Sequence, residues 1–250
     1  MADFGRFVWY DLFAQDVDRA CSFYAGIAGW TYTKGTSGDH QVILSGGEEI
    51  GRIAQAPEGV PPHWLGYVSV EDVAEMAQRA EALGGRILRP PTDIPPVGRL
   101  AVLADPQGAA FALFGSEPAF PQPAREEIGR FSWAELNTTN WESAWKFYSA
   151  LFGWKKTSSM EMEEMGTYFM FGMEEKRSMG GMSNAATFMN APPHWLYYFN
   201  VADIREALKQ VEEAGGKVLN GPMEIPGDDW IAQCADPEGC YFALYQSGRS

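Results

Sequence analysis

The sequence predicts an α+β chain made of two tandem copies of one domain, each copy built from two β-α-β-β-β modules. Three observations predict it. First, the chain is internally duplicated. Phe7–Leu12 (FVWYDL) aligns with Phe131–Leu136 (FSWAEL), Ala20–Tyr24 (ACSFY) with Ala144–Tyr148 (AWKFY), and Gly29-Trp30 with Gly153-Trp154, all at an offset of 124 residues. Further along the offset is 131: Pro61–Leu65 matches Pro192–Leu196, Gly84-Gly85 matches Gly215-Gly216, and the Asp-Pro-x-Gly of Asp105–Gly108 returns at Asp236–Gly239. The second copy thus carries seven extra residues between Trp154 and Pro192. Second, strand-like and helix-like periods follow one order in both copies. Third, 46% hydrophobic and 21% charged residues are a globular composition with enough chain for a substantial core.

Each element has a local reason. Arg6–Phe13 alternates as a strand. A helix follows, with Asp16 as N-cap (Asn140 in the second copy), Ala20, Phe23, Tyr24 and Ile27 at helical spacing, and Gly29 or Gly153 as its stop. Two or three short strands come next, turned by residues 46–49 (GGEE) or 174–177 (EEKR). Pro-Pro-His-Trp leads into a strand over His63–Val70. A second helix carries Ala74, Ala77 and Ala80 beside acids and is stopped by Gly84-Gly85. The last strands flank Asp-Pro-x-Gly, a turn sequence. In this picture the helices cover the outside of a curved sheet.

Charge narrows the partners. There are 19 basic and 33 acidic residues, a net charge of −14, shared equally between the halves when the chain is divided after Ala124. A nucleic-acid or anionic-membrane binder needs a basic face, so neither is expected. No apolar run reaches the roughly 18 residues of a membrane span, and the first residues lack a signal peptide's basic and apolar regions, so a cytoplasmic location is expected. Cys21, Cys234 and Cys240 form no CxxC and read as reduced thiols, with a Cys234–Cys240 disulfide as the alternative. No Gly-rich phosphate loop, GxSxG or HExxH is present, and the three histidines are His40, His63 and His194.

The run Asp16, Phe23-Tyr24, Gly29-Trp30, then helix-Gly-Gly, then Asp-Pro-x-Gly, present twice, resembles the vicinal oxygen chelate superfamily: glyoxalase I, bleomycin-resistance proteins, fosfomycin-resistance enzymes and extradiol dioxygenases. The resemblance covers essentially the whole chain. It implies glyoxalase-like domains at 1–117 and 128–250, joined by a linker at 118–127 that contains Pro118–Pro123, each domain a curved, partly open barrel-like sheet. Metal-dependent members carry a His or Gln on the first strand, a ligand on the fifth and a Glu on the last. Those positions are here Trp9, Leu65 and Ala112, and Trp133, Leu196 and Ala243. None of these side chains coordinates a divalent cation, so no cofactor is expected and a divalent metal is disfavoured. The fourth ligand position, near Gln55, is not aligned closely enough to assign.

Two sets of site residues follow. On the first strand Trp9, Asp11 and Phe13 share a face, as do Trp133, Glu135 and Asn137. With the first and fifth strands as antiparallel neighbours, Asp11 comes opposite His63 and Glu135 opposite His194. A carboxylate there would raise the ring's pKa and equip it for acid–base work. The competing reading is a structural histidine at a strand start. The second set is aromatic: Trp9, Phe13, Tyr67 and Phe114 line one cup, and Trp133, Tyr198, Tyr241 and Tyr245 the other, suited to a planar small molecule or simply to filling a core. Trp64 and Trp195 fall on the opposite face, as helix-packing residues. Arg99 and residues 228–230 (DDW) sit before the seventh strand, as rim groups. Eight of eleven methionines lie between Met160 and Met189, as a lid or as loosely specified strands.

The expected protein is a glyoxalase-like binder of a small aromatic or carbonyl-containing molecule, a monomer or loose homodimer, which binds and in one version modifies its ligand. The alternatives are a lyase or dioxygenase with shifted metal ligands and a sequestering protein of the bleomycin-resistance kind.

Overall fold

A computed structural model describes residues 4–36, 38–116, 127–162 and 166–248. Apart from Glu127, the expected linker lies outside the described residues. The first copy runs β1 (Phe7–Ala14), α1 (Val17–Ala28), β2 (Thr31–Lys34), β3 (His40–Ser45), β4 (Glu48–Gln55), β5 (His63–Ser69), α2 (Val73–Ala82), β6 (Arg86–Ile94), β7 (Gly98–Ala104) and β8 (Ala110–Gly115). The second runs β9 (Phe131–Asn137), α3 (Trp141–Phe152), β10 (Lys155–Met162), β11 (Gly166–Gly172), β12 (Gly180–Ser183), α4 (Ala185–Met189), β13 (His194–Asn200), α5 (Ile204–Glu213), β14 (Lys217–Ile225), β15 (Asp229–Ala235) and β16 (Tyr241–Gln246). Short α4 occupies part of the second copy's added length.

The strands form two eight-stranded mixed sheets, ordered β2-β3-β4-β1-β5-β8-β7-β6 and β10-β11-β12-β9-β13-β16-β15-β14. This is the twice-repeated β-α-β-β-β pattern that the sequence predicts. In the first sheet β1 pairs with β4 in parallel, Asp11 opposite Arg52. In the second β9 pairs with β12 in parallel, Glu135 opposite Gly181. These two registers set the candidate site.

The caps confirm the helix limits. Asp16 accepts from the Arg19 amide at 3.0 Å and Asn140 from the Ser143 amide at 2.9 Å. Gly29 and Gly153 end their helices in the left-handed region, at φ 68° and 71°, where a side chain would be strained. Asp105 and Asp236 close the Asp-Pro-x-Gly turns by accepting backbone N–H bonds at 2.8–3.0 Å.

The chain divides into two compact units, and neither coincides with one copy. One unit gathers Met1–Val8, Gly66–Gln122 and Trp133–Trp195. Its core packs Phe111 against Phe147, Tyr148 and Phe152, and stacks Trp154 on Phe171 with centroids 4.3 Å apart. The other gathers Trp9–Leu65, Pro123–Ser132 and Leu196–Ser250. There Tyr24 is enclosed by Trp30, Trp64, Phe199 and Phe242. Trp64 and Trp195 donate to the hydroxyls of Tyr24 on α1 and Tyr148 on α3, both at 3.1 Å, so each is a helix-packing residue as expected. All three cysteines are thiols. Met179 and Met182 are buried in or beside β12, whereas Met160 and Met189 are exposed.

Candidate functional site

In the first copy the site is built on β1, flanked by β4 and β5. Strand alternation turns Asp11 and Phe13 to one face. Asp11 is 0% exposed. Its Oδ1 accepts from the Trp9 indole at 2.8 Å, and its Oδ2 accepts from Arg52 Nε at 3.0 Å and Nη2 at 2.8 Å. Burying a carboxylate is costly unless it is paired, and here a guanidinium on the neighbouring strand pairs it. Arg52 remains 29% exposed. His63 lies on the other side of β1, stacked on Phe13 with centroids 5.1 Å apart. Its Nδ1 is 2.8 Å from the Pro61 carbonyl. A carbonyl only accepts, so Nδ1 carries the proton in the neutral ring and Nε2 presents a lone pair.

The second copy uses the same places differently. Gly181 stands where Arg52 stands, and a Cβ there would collide with the Tyr168 hydroxyl. Tyr168 fills that space. It accepts from the Trp133 indole at 2.9 Å and donates to Glu135 at 3.0 Å. His194 repeats the backbone bond, Nδ1 to the Pro192 carbonyl at 2.9 Å, and its Nε2 is 3.3 Å from the Asn137 amide nitrogen, which donates to it. Burial holds the His194 pKa below its ordinary value. Asn137 is 1% exposed, and among the described residues its Oδ1 and the neighbouring Thr138 Oγ1 have no hydrogen-bond partner.

The sequence set Asp11 opposite His63 and Glu135 opposite His194. The contacts seen at the two rings are Phe13, stacked on His63, and Asn137, whose amide nitrogen donates to His194 Nε2. One expectation is corrected here. The expected rise of the histidine pKa is reversed at His194, because burial is the largest influence and outweighs the raising effect of the bond to the Pro192 carbonyl.

The remaining residues divide by environment. Tyr67 and Phe114 are buried and pack edge to face at 6.5 Å. Tyr198 is buried and accepts from Gln233 at 3.3 Å. Tyr245 donates to Asp229 at 2.6 Å. Tyr241 is exposed at the start of β16. Arg99 forms an exposed pair with Asp93 at 3.4 Å, a contact of small energetic weight. A cavity of about 630 Å³ lies elsewhere, between Phe4, Asp72, Glu75, Met76 and Phe152, and contains none of the expected site residues. Sequence reading missed Arg52 and Tyr168. Both act through a β1–β4 or β9–β11 relationship that no local pattern announces.

The divalent metal that the resemblance implies does not fit these residues. Ala112 and Ala243, at the last-strand ligand positions, are fully buried opposite Tyr67 and Tyr198. Asp11 is committed to Trp9 and Arg52. Among the described residues no group of three or more His, Cys, Asp or Glu gathers to hold a metal ion.

Comparison with known proteins bears on the fold and the family. The Glyoxalase/Bleomycin resistance protein/Dioxygenase superfamily matches residues 6–113 and again 130–244. The "Putative glyoxylase CFP32" of Mycobacterium tuberculosis is 32% identical over 244 residues, covering 94% of this chain and 92% of that protein. The anthracycline biosynthesis protein DauV of a Streptomyces species is 27% identical over 260 residues, covering 97% and 93%. Among solved structures, a Mn(II)-bound glyoxalase from Novosphingobium aromaticivorans superposes with a TM-score of 0.69 at 14% identity, covering 98% of this chain and 83% of that one. The 2,3-dioxygenase LapB of a Pseudomonas species gives 0.69 at 13% identity, covering 99% and 94%. No helix among the described residues is long and apolar enough to cross a membrane.

Proposed function

The chain belongs to the glyoxalase/bleomycin resistance protein/dioxygenase superfamily, and from that premise we propose that it binds a small aromatic or carbonyl-containing molecule without a resident metal. Support comes from one observation above the others. Each copy places a few convergent polar groups among aromatic rings on its first strand: Trp9, Asp11 and Arg52 beside the Phe13–His63 stack, and Trp133, Glu135 and Tyr168 beside Asn137 and His194. Rings supply apolar area for a planar ligand, and the polar groups orient it. His63 and His194, each with Nδ1 held by a carbonyl, are the groups suited to accept a proton from a bound ligand at Nε2. We read the chain as two domains, 1–117 and 128–250, as a monomer or loose homodimer, and as cytoplasmic.

The test is a thermal-shift screen of chelator-treated full-length protein against aryl aldehydes, aryl ketones and 2-oxo acids. Saturable stabilisation by members of this set supports the reading. Stabilisation that appears only after Mn, Fe, Ni or Zn is restored overturns it, in favour of a metal-dependent lyase or dioxygenase. So does a screen with no stabilising compound.

A further inference from the structure

We infer that the cavity of about 630 Å³ beside α2 and α3 is a second binding site, and that its ligand is an organic amine, an ammonium group on an apolar body. The inference goes beyond the binding reading above and does not depend on it. The whole cavity lies within one compact unit, and its volume is that of a small-molecule site. Its walls combine two kinds of surface. Phe4, Val70, Met76 and Phe152 supply the apolar part, and Glu71 and Glu75 supply carboxylates at the solvent-exposed rim. No lysine or arginine is among the residues that line it. Asp72 also lines the cavity but is committed as the N-cap of α2, accepting from the Ala74 and Glu75 amides at 2.7 and 3.0 Å, and Arg99 lies within electrostatic reach of it. On the other wall Phe152 ends α3, a helix with no basic residue in its last turn, so the negative end of that helix dipole lies at the cavity too. Aromatic faces attract an ammonium group, as carboxylates do. The acids do not gather on one point: among the described residues no group of three or more His, Cys, Asp or Glu could hold a metal ion. Carboxylates spread around apolar walls fit a cation with apolar bulk, and not a bare divalent ion, which needs oxygens on all sides.

The repeat shows which of these side chains the fold itself requires. Asp72 and Glu75 return in the second copy as Asp203 and Glu206, again the N-cap and the first-turn acid of a helix, so capping explains both. The others do not return. Glu71 and Met76 are matched by Ala202 and Ala207, Phe4 by Ile128 and Phe152 by Ala28. The second copy forms the corresponding helices and strands with these smaller residues, so the fold does not demand the extra carboxylate, the thioether or the two rings. All four line the one cavity. Phe152 packs part of its ring on Phe111 and Trp154, and it, Phe4 and Met76 stay part-exposed, as apolar side chains do where a ligand covers them. The net charge of −14 adds a general attraction for cations.

The test is calorimetric titration of the full chain with phenylbutylamine, a cation at neutral pH, and with phenylbutanol, its neutral counterpart. Wild type is expected to bind the amine about tenfold more tightly, with an affinity that falls as salt rises. Replacing both carboxylates, Glu71→Gln with Glu75→Gln, should remove that preference. Both side chains are exposed, so the double variant is expected to fold. Location is read separately on unaltered protein, isotope-labelled at its methionine methyl groups: the Met76 signal, assigned with Met76→Leu, should move as the amine is added. Equal binding of the two compounds, or a folded double variant that still prefers the amine, overturns the assignment to a cation. An amine that binds and leaves the Met76 signal unmoved sits elsewhere and overturns the site. An amine that does not bind overturns it too. Because the cavity contains none of the first-strand residues, each of these failures leaves the binding reading standing.

Discussion

Tyr24 and Asp236 are 212 residues apart in the chain and meet at 3.0 Å, the phenol donating to the carboxylate. Tyr148 and Asp105 repeat the contact at 3.2 Å. Each bond joins the Phe-Tyr helix of one copy to the Asp-Pro-x-Gly turn of the other. Two motifs that look independent in the sequence are thus halves of one buried contact.

Removing the phenol tests its weight. Tyr24→Phe leaves the Trp64 indole and an Asp236 oxygen without this partner in the interior, and a cost of about 1–3 kcal/mol is expected. Urea denaturation followed by tryptophan fluorescence measures it. Tyr148→Phe should cost a similar amount, and a loss below about 0.5 kcal/mol for both would show that the contact is incidental.

The same carboxyls give the fold a pH signature. Burial raises the pKa of Asp105 and of Asp236, against the lowering effect of their hydrogen bonds. Between the ordinary aspartate value, about 3.9, and the raised value, the folded protein binds more protons than the unfolded chain. Each group's contribution therefore weakens as pH rises through that window. Against Asp105→Asn and Asp236→Asn, wild type should gain relative stability as pH falls through it, as measured by denaturation at a series of pH values.

Asp11 and Arg52 should be strongly coupled. Arg52→Gln strands a fully buried carboxylate beside the Trp9 indole, at an expected cost of about 2 kcal/mol, at the lower end for such pairs because Arg52 is part-exposed. Asp11→Asn in the same protein removes the stranded charge. The double variant should accordingly recover about 1 kcal/mol or more against the sum of the single effects. Additive effects in the cycle would show the pair to be energetically idle.

His194 should titrate below the ordinary histidine value of about 6.5, because burial disfavours its charged form. The unfolded chain then takes up more protons in the window just below 6.5, so this group withdraws stability as pH falls through it. Imidazole chemical shifts, assigned with His194→Asn, report the value directly. Asn137→Asp places a carboxylate 3.3 Å-class distance from Nε2, where the amide nitrogen now stands, and should raise it. An unmoved pKa would mean that the ring does not sense this neighbour.

Much of this site could be read from the chain alone. The resemblance, counted from Asp16 and the Asp-Pro-x-Gly turns, implies metal-ligand positions at Trp9, Trp133, Ala112 and Ala243. The shared face of Trp9, Asp11 and Phe13 follows from a period of two. Arg52 could not be read. It lies on a strand where the two copies differ in length before the next shared motif, and its counterpart is Gly181. The contacts of the His63 ring with Phe13 and of the His194 ring with Asn137 could not be read either, because residues two apart share a face and packing decides which of them a ring meets.

By itself the sequence determined the repeat, the order of the elements, their caps and the face each side chain would take. These depend on residues within about one helical turn or one strand of each other, where periodicity and capping chemistry act directly. Tertiary structure alone decided which strands exchange hydrogen bonds in which register, and which helix closes over which turn. That is why Asp11 meets Arg52 and Tyr24 meets Asp236. Such pairings join segments tens to hundreds of residues apart and are selected by the burial and hydrogen bonding of the whole core, for which no short stretch of chain carries a signal.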